Sequence, residues 1–304
     1  MLTIYCALYG EAQEIIHTFQ LKKEIGQTHF QVFSDEEKSV RLVITGVGAI
    51  AAASAVAEIS AVYPPGREGF LLNFGTCAAG GEVSEGEIFL CNKLTEECSG
   101  RTFYPDMIYR HPFREAEAVS CARVKTSAEI REAGEHREKE ETDRSVQLYD
   151  MESAAIYQAG SYSYGPHQMF FLKVVSDHGE ADGSFQKKTV YDFRTRLTEI
   201  LKDAAPEFCA YMESLRNICL ENEKTGAKQS ALKKEAEADA AVLGEEMHCS
   251  TVMHRELQQL LWYWKLTRVD YHTIINEYRR QGYLPAKDKR EGKKILDELK
   301  GNLL

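Results

Sequence analysis

No stretch of the 304 residues is long enough and free enough of charge to cross a bilayer, which excludes a membrane-spanning helix. A basic surplus is missing too. The 37 lysines and arginines are outnumbered by 47 aspartates and glutamates, for a formal net charge of −10 at pH 7. Proteins that grip a phosphate backbone normally show a basic surface, so nucleic acid is set aside as a partner and the excess acid reads as solvated surface. The eight cysteines (Cys6, Cys77, Cys91, Cys98, Cys121, Cys209, Cys219 and Cys249) form no CxxC pair and no metal-ligand spacing. Several lie in apolar runs, where a free thiol behaves as a small hydrophobe. His248, Cys249 and His254 lie close together but match no common metal site, so surface or packing roles are expected for them. No signal-peptide pattern is present, since "MLTIYCAL" opens directly on a strand-like pattern. With no disulfide framework in view, the expected compartment is the reducing cytosol, with no membrane attachment.

What is present is an alternation of short apolar runs with helical patterns over residues 1–215. The runs at 2–8, 40–48, 69–75, 86–94, 146–151 and 169–177 are almost continuously apolar, as strands are when both faces of their sheet are covered. Helical patterns such as "GEAQEIIHTF", "AIAAASAVAEISAVY" and "ESAAIYQAGSYSYG" separate several of them. Strand-then-helix alternation implies a three-layer α/β/α sandwich. Residues 127–145 are dense in charge and read as a solvated helix or loop. Residues 216–248 carry few apolar anchors and read as a linker or a loosely held helix. Beyond them, residues 249–304 form a small helical extension. Met253, Leu257, Leu260, Leu261 and Trp264 share one helix face, Asp270 is placed to cap the next helix and Gly282 to stop it.

Ligands of open α/β sheets bind at the carboxyl ends of strands, and three of the predicted strand ends carry carboxylates: Glu11, Glu152 and Asp177. Taken singly, each reads as a helix cap or a partner of the helix dipole. The glycine turn "TGVG" lacks the full dinucleotide fingerprint. As a group at one rim, the carboxylates suit a ligand rich in hydroxyls and ring nitrogens, such as a nucleoside. One carboxylate can accept from two ribose hydroxyls, one can donate to a leaving base and one can activate water. The stretch "LYDMESAAIYQAG" adds a second acidic residue, Asp150, two positions before Glu152, and a solvated role is expected for it.

Five motifs in order, "CALYGEAQEI", "TGVGAIAAASA", "NFGTCAAGG", "DMESAAIYQ" and "VVSDHGEAD", resemble those of the nucleoside phosphorylase and nucleosidase superfamily. Within it the chain is most similar to the 5′-methylthioadenosine/S-adenosylhomocysteine nucleosidases. The resemblance covers residues 1–215 and implies a phosphorylase/hydrolase-like α/β/α fold with a central mixed sheet. It also implies hydrolysis of the N-glycosidic bond of a purine nucleoside, such as a 5′-modified adenosine, releasing the base and a free ribose derivative. Carried over by position, Glu11 activates water, and Asp177, helped by Ser176, protonates or hydrogen-bonds N7 of the purine. Glu152 binds the ribose 2′- and 3′-hydroxyls, Met151 packs under the sugar and Thr76 faces the water. Lys173 stands where the family has an arginine, a departure because lysine lacks the planar fork, and Phe185 stands near the sugar 5′ side. The segment at 122–130, where the family stacks the base, departs in sequence. The loop at 100–113 is expected near the base, at a partner's site, or simply packed. No metal or organic cofactor is implied, and a homodimer is. The C-terminal helices are expected to dock a partner or the domain itself.

Two other readings stay open from sequence. A purine nucleoside phosphorylase must hold a phosphate dianion, for which converging arginines are the usual device. Asn73 occupies the position where the bacterial phosphorylases open their central loop with an arginine, and Glu11 would repel phosphate, so hydrolysis is favoured. A nucleoside-binding regulatory protein is the third reading, suggested by the helical tail and opposed by the presence of a water-activating carboxylate.

Overall fold

Alternation along the strands decides the layers. In β1 (Leu2–Cys6), β4 (Val40–Ile44) and β5 (Phe70–Ala79), the residues Leu2, Ile4, Leu42, Phe70, Leu72 and Phe74 enter one core, whereas Tyr5, Val43, Leu71 and Cys77 enter another on the opposite face. The first core is closed by α1 (Tyr9–Thr18) and by residues 201–219 of the helix α5 (Lys187–Glu246). The second is closed by α2 (Ala49–Val62) and α4 (Ser153–Gly160). Helices therefore lie on both faces of a mixed sheet, the three-layer arrangement expected from the sequence.

In this computed structural model the described residues are 1–26, 28–80, 83–140, 146–179 and 187–301. They divide into two units, Met1–Asn222 and Glu223–Leu304. The sheet of the first unit adds β2 (Lys22–Lys23), β3 (Gln31–Ser34), β6 (Ile88–Glu96), β7 (Thr102–Phe103), β8 (Arg114–Ser120), β9 (Val146–Asp150) and β10 (Met169–Asp177). Its order is β10-β6-β8-β9-β5-β1-β4-β3-β2, with β7 beside β6. A further pairing of β10 with β5 closes the strands β5, β10, β6, β8 and β9 into a ring. β5 runs parallel to β1 and β10 and antiparallel to β9. It continues to Ala79, four residues beyond the run expected at 69–75. Gly75 makes this possible. A Cβ there would sit 3.2 Å from Glu11 Oε1 and 3.6 Å from Lys173 Nζ, so its glycine serves close approach rather than a turn.

The charged segment forms the helix α3 (Ser127–Glu140). In the 100–113 segment Phe103 stacks on Tyr157, Tyr109 meets Phe70 and Phe113 meets Tyr211, with ring centroids 5.1–5.3 Å apart, so these aromatics are packing residues. The second unit has its own core. The five apolar residues expected to share a helix face are all buried on α6 (Thr251–Leu266), and Trp264 stacks on Tyr271 of α7 (Tyr271–Arg280). Asp270 caps α7 by accepting from the Thr273 backbone N–H, and Gly282 follows the helix end at φ +78°. Ile295, Leu296 and Leu299 of α8 (Lys289–Gly301) and Ala236, Ala240 and Leu243 of α5 complete this core. Among the described residues no helix is long and apolar enough to cross a membrane.

Candidate active site

Register sets the site. In adjacent strands Asp177 of β10 lies opposite Ala78 of β5, and Ala78 lies opposite Tyr149 of β9. The end of β10, the C-terminal half of β5 and the exit of β9 into Met151 and Glu152 therefore meet at one rim. α1 enters the same rim through Glu11. This side chain is buried, and its Oε1 accepts from the Thr76 backbone N–H (2.8 Å) and the Thr76 hydroxyl (2.9 Å). Its Oε2 accepts from the Leu8 backbone N–H at 2.9 Å, capping its own helix. A carboxylate offers about four acceptor positions, so one on Oε2 is left.

Glu152 takes the N-cap position of α4 but makes no side-chain bond to that helix. Instead its Oε1 accepts from the Gly48 backbone N–H, 104 residues away in sequence, at 2.8 Å. Gly48 caps α2 at φ +98°, a conformation that favours glycine, and this aims its N–H at the carboxylate. Glu152 is 8% exposed. Burial, with the Asp150 and Glu11 charges adding to it, pushes its pKa up to about 7, while Lys173 and the Gly48 N–H work against the rise. Its second oxygen carries no hydrogen bond from the described residues.

Asp177 is half-buried at the end of β10. Its Oδ2 accepts from the Ser176 hydroxyl at 2.7 Å and its Oδ1 from the Gly179 backbone N–H at 2.8 Å. Ser176 Oγ also lies 3.2 Å from the Cys77 carbonyl, which ties this turn to β5. The turn is latched from outside as well, since the Ser127 hydroxyl at the start of α3 donates to the Gly179 carbonyl at 2.9 Å.

Asp150 is not solvated. It is buried, and its Oδ2 lies 2.7 Å from Lys173 Nζ in an ion pair with both side chains shielded from solvent. Asp150 Oδ1 accepts from the Ser120 hydroxyl at 2.6 Å, and Oδ2 accepts from the Ser153 backbone N–H at 2.9 Å and from the Ser153 hydroxyl. It thereby caps α4, the role that its neighbour Glu152 leaves vacant. The physical reason is Lys173. A lysine on an inner strand, covered on both sides, needs a fully hydrogen-bonded counter-charge. Burial alone would raise the Asp150 pKa, but Lys173 and the two serines hold it below the usual carboxylate value. Burial likewise opposes the Lys173 ammonium, and Asp150 and Glu152 overcome this and raise its pKa.

The structure thus brings Glu11, Thr76, Glu152, Ser176 and Asp177 to one rim, with Met151 beside them. Lys173 sits beneath it, within reach of Gly75, and is committed to Asp150. Phe185 lies outside the described residues. Asn73 is buried, donating from Nδ2 to the Tyr5 carbonyl at 3.1 Å and accepting on Oδ1 from Ser153 at 2.9 Å. Sequence reasoning missed Asp150 and Gly48. A lone lysine inside "MFFLKVV" was the available signal for the first, because buried lysines are seldom unpaired. Nothing local signalled the second.

No protein-family model matches the sequence, and neither does any curated protein sequence. Solved structures do match. The 5′-methylthioadenosine/S-adenosylhomocysteine nucleosidase of Neisseria meningitidis in complex with methylthio-immucillin-A is 18% identical, with a TM-score of 0.54 over 70% of this chain and 98% of its own. The apo 5′-methylthioadenosine nucleosidase of Arabidopsis thaliana is 16% identical, with a TM-score of 0.55 over 70% and 95%. The Streptococcus pneumoniae MTA/SAH nucleosidase in complex with 8-aminoadenine is 18% identical, with a TM-score of 0.53 over 69% and 98%. Over about 70% of its length the chain therefore has the fold of the 5′-methylthioadenosine/S-adenosylhomocysteine nucleosidases.

Proposed function

We propose that the chain hydrolyses the N-glycosidic bond of a purine nucleoside, with 5′-modified adenosines such as methylthioadenosine or S-adenosylhomocysteine as the substrate class. The observation that carries this reading is the meeting of Glu11, Glu152 and Asp177, from three separate segments, at the rim where this fold binds its ligands. In the proposed reaction Glu152 uses its uncommitted oxygen to accept from the ribose 2′- and 3′-hydroxyls. Its buried position is costly without a ligand, and the hydroxyls would favour its ionised form. Glu11 binds water through its remaining acceptor position and takes a proton as the water attacks C1′ of an oxocarbenium-like sugar. Thr76 holds that carboxylate in place. Asp177, steadied by Ser176 and Gly179, protonates or hydrogen-bonds N7 as the base leaves. Lys173 acts from below by keeping Asp150 and the start of α4 in position.

Two features favour water over phosphate as nucleophile. Asn73 is neutral and buried in the sheet, and Lys173 is neutralised by Asp150. A phosphate dianion would therefore meet the Glu11 carboxylate without either of these positions offering it a free cation. The test is base release, followed by chromatography, from methylthioadenosine, S-adenosylhomocysteine, 5′-deoxyadenosine, adenosine and inosine, each with and without phosphate. Release without phosphate, with a free reducing sugar as co-product, supports the reading. Release only with phosphate, giving a sugar 1-phosphate, replaces it with a phosphorylase. Binding without release replaces it with a nucleoside sensor.

A homodimer belongs to the same proposal. α2 and α4 flank an open groove of about 710 Å³ walled by Ala49, Ala53, Ala57, Ala155 and Ala159, with Ile50 85% and Tyr162 91% exposed beside it. Large apolar side chains around a groove of alanines fit a protein surface better than water.

A further inference from the structure

Arg41 presents the opposite case to Lys173. It is the second residue of β4, paired in register with Thr3 of β1, toward the N-terminal end of the strand and away from Gly48. Its neighbours Val40 and Leu42 enter the core against α1 and α5, so its side chain enters the layer of α2 and α4. It is only 6% exposed there. The guanidinium lies over the ring of Tyr63, 3.9 Å from the centroid. Among the described residues it has no carboxylate or carbonyl partner, and its Nε is fully buried without a hydrogen bond. Two hydroxyls lie in the same layer. Tyr5 Oη and Ser60 Oγ are fully buried close to each other, and neither makes a well-formed hydrogen bond to a described residue. Tyr164 is near enough to feel the Arg41 charge.

An arginine brings five N–H donors in a rigid fork that matches carboxylate or phosphate oxygens, and buried arginines are rarely left unpaired. Stacking on Tyr63 offsets part of the desolvation cost but satisfies none of those donors. Glu24, which accepts from the Tyr63 hydroxyl at 3.1 Å, is itself held by Lys38 and Ser34. Ser60 also lines the groove between α2 and α4, with its Oγ turned away from solvent into the protein. We propose that Arg41, Tyr5 and Ser60 form a binding site for a small oxyanion, with the guanidinium fork on two oxygens and the hydroxyls donating to the others. The site lies apart from the rim of Glu11, Glu152 and Asp177 and does not depend on the nucleosidase reading.

The test is thermal denaturation of the full chain in phosphate, sulfate or acetate, each against chloride at matched ionic strength. An oxyanion at a hundred times its Kd raises Tm by roughly 5–10 °C in a unit of this size. Preference for phosphate and sulfate over acetate identifies a tetrahedral ligand, and the reverse order a carboxylate. The shift is expected to vanish in Arg41→Met and to persist in Asp177→Asn. Calorimetric titration with phosphate then gives a several-fold weaker Kd for Tyr5→Phe or Ser60→Ala than for the unmodified chain, a readout that holds even where Arg41→Met does not fold. Three results overturn the proposal. One is no shift in any oxyanion, which leaves only water to satisfy the cluster. The others are a shift kept by Arg41→Met and one abolished by Asp177→Asn, which put the anion elsewhere.

Discussion

Exchanging Glu152 for glutamine separates what this residue does for a ligand from what it costs the fold. Its folded-state pKa of about 7 stands above the ordinary 4.5, so between these values the folded protein holds a proton that the unfolded chain has released. The contribution to stability is therefore fully present below pH 4.5, is lost as pH rises through 7, and is gone at pH 8. At 1.36 kcal/mol per pKa unit the loss amounts to about 3 kcal/mol. Glutamine keeps an oxygen for the Gly48 N–H and cannot ionise. The stability of Glu152→Gln relative to the unmodified chain should thus climb by about 3 kcal/mol between pH 4.5 and 8, or roughly 6–12 °C in Tm. Urea denaturation at pH 5, 6, 7 and 8 reads this directly, because other titrating groups cancel in the difference. The slope is the readout, since the amide nitrogen adds a pH-independent offset. Base release should move the other way, with kcat/KM falling roughly ten- to a hundredfold for each charged hydrogen bond lost to the ribose. A stability difference that is flat or falls with pH would refute the argument that burial without a ligand strains this carboxylate.

Three further outcomes are expected. Asp177→Asn should lower kcat about a hundredfold or more while a methylthio-nucleoside analogue binds within a few-fold of its original affinity, as equilibrium titration would report; unchanged turnover removes Asp177 from the chemistry. Asp150→Asn and Lys173→Met should each cost about 3–5 kcal/mol in denaturant unfolding, and the double variant should recover part of this, because one charge without the other is worse than neither; strict additivity would show that the pair is not coupled. Ile50→Lys together with Tyr162→Lys should convert a dimer to a monomer in sedimentation, and an unaltered oligomeric state would place any interface elsewhere.

Much of the first unit could be read from sequence because strands covered on both faces are apolar throughout, and "LTIYC", "VRLVI" and "MFFLKVVSD" sit within a few residues of where they were expected. β8 was missed because "REAEAVS" carries charge along its exposed half and looks like surface. The length of β5 was hidden by Gly75, since glycine in a strand ordinarily signals a turn and here admits two charged side chains. Glu11, Glu152 and Asp177 were legible from their places at strand ends, but their partners were not. The bond from Gly48 to Glu152 spans 104 residues and depends on how α2 packs beside α4. Asp150 looks solvated beside its sequence neighbours, whereas its environment is set by Ser120 and Lys173 on other strands. In the second unit, the face of α6 follows from large residues at helical spacing. The run of α5 through 216–246 was less visible, because the side chains that anchor its last turns include the small residues Ala236 and Ala240.

The ring formed by β5, β10, β6, β8 and β9 has a consequence for how the molecule breathes. Strands in a closed circuit have no free edge from which to peel, so none of the five can exchange its amide hydrogens by fraying alone. Thr76, Asp150 and Asp177 ride on three members of that circuit and share its fate, opening together in one cooperative event or not at all. The turn at 46–48 that reaches Glu152 and the turn at 178–179 latched by Ser127 lie outside the ring. Isotope exchange would sort the ring strands into a slow class and these turns into a fast one, with Asp177 riding on the first and Glu152 bonded to the second.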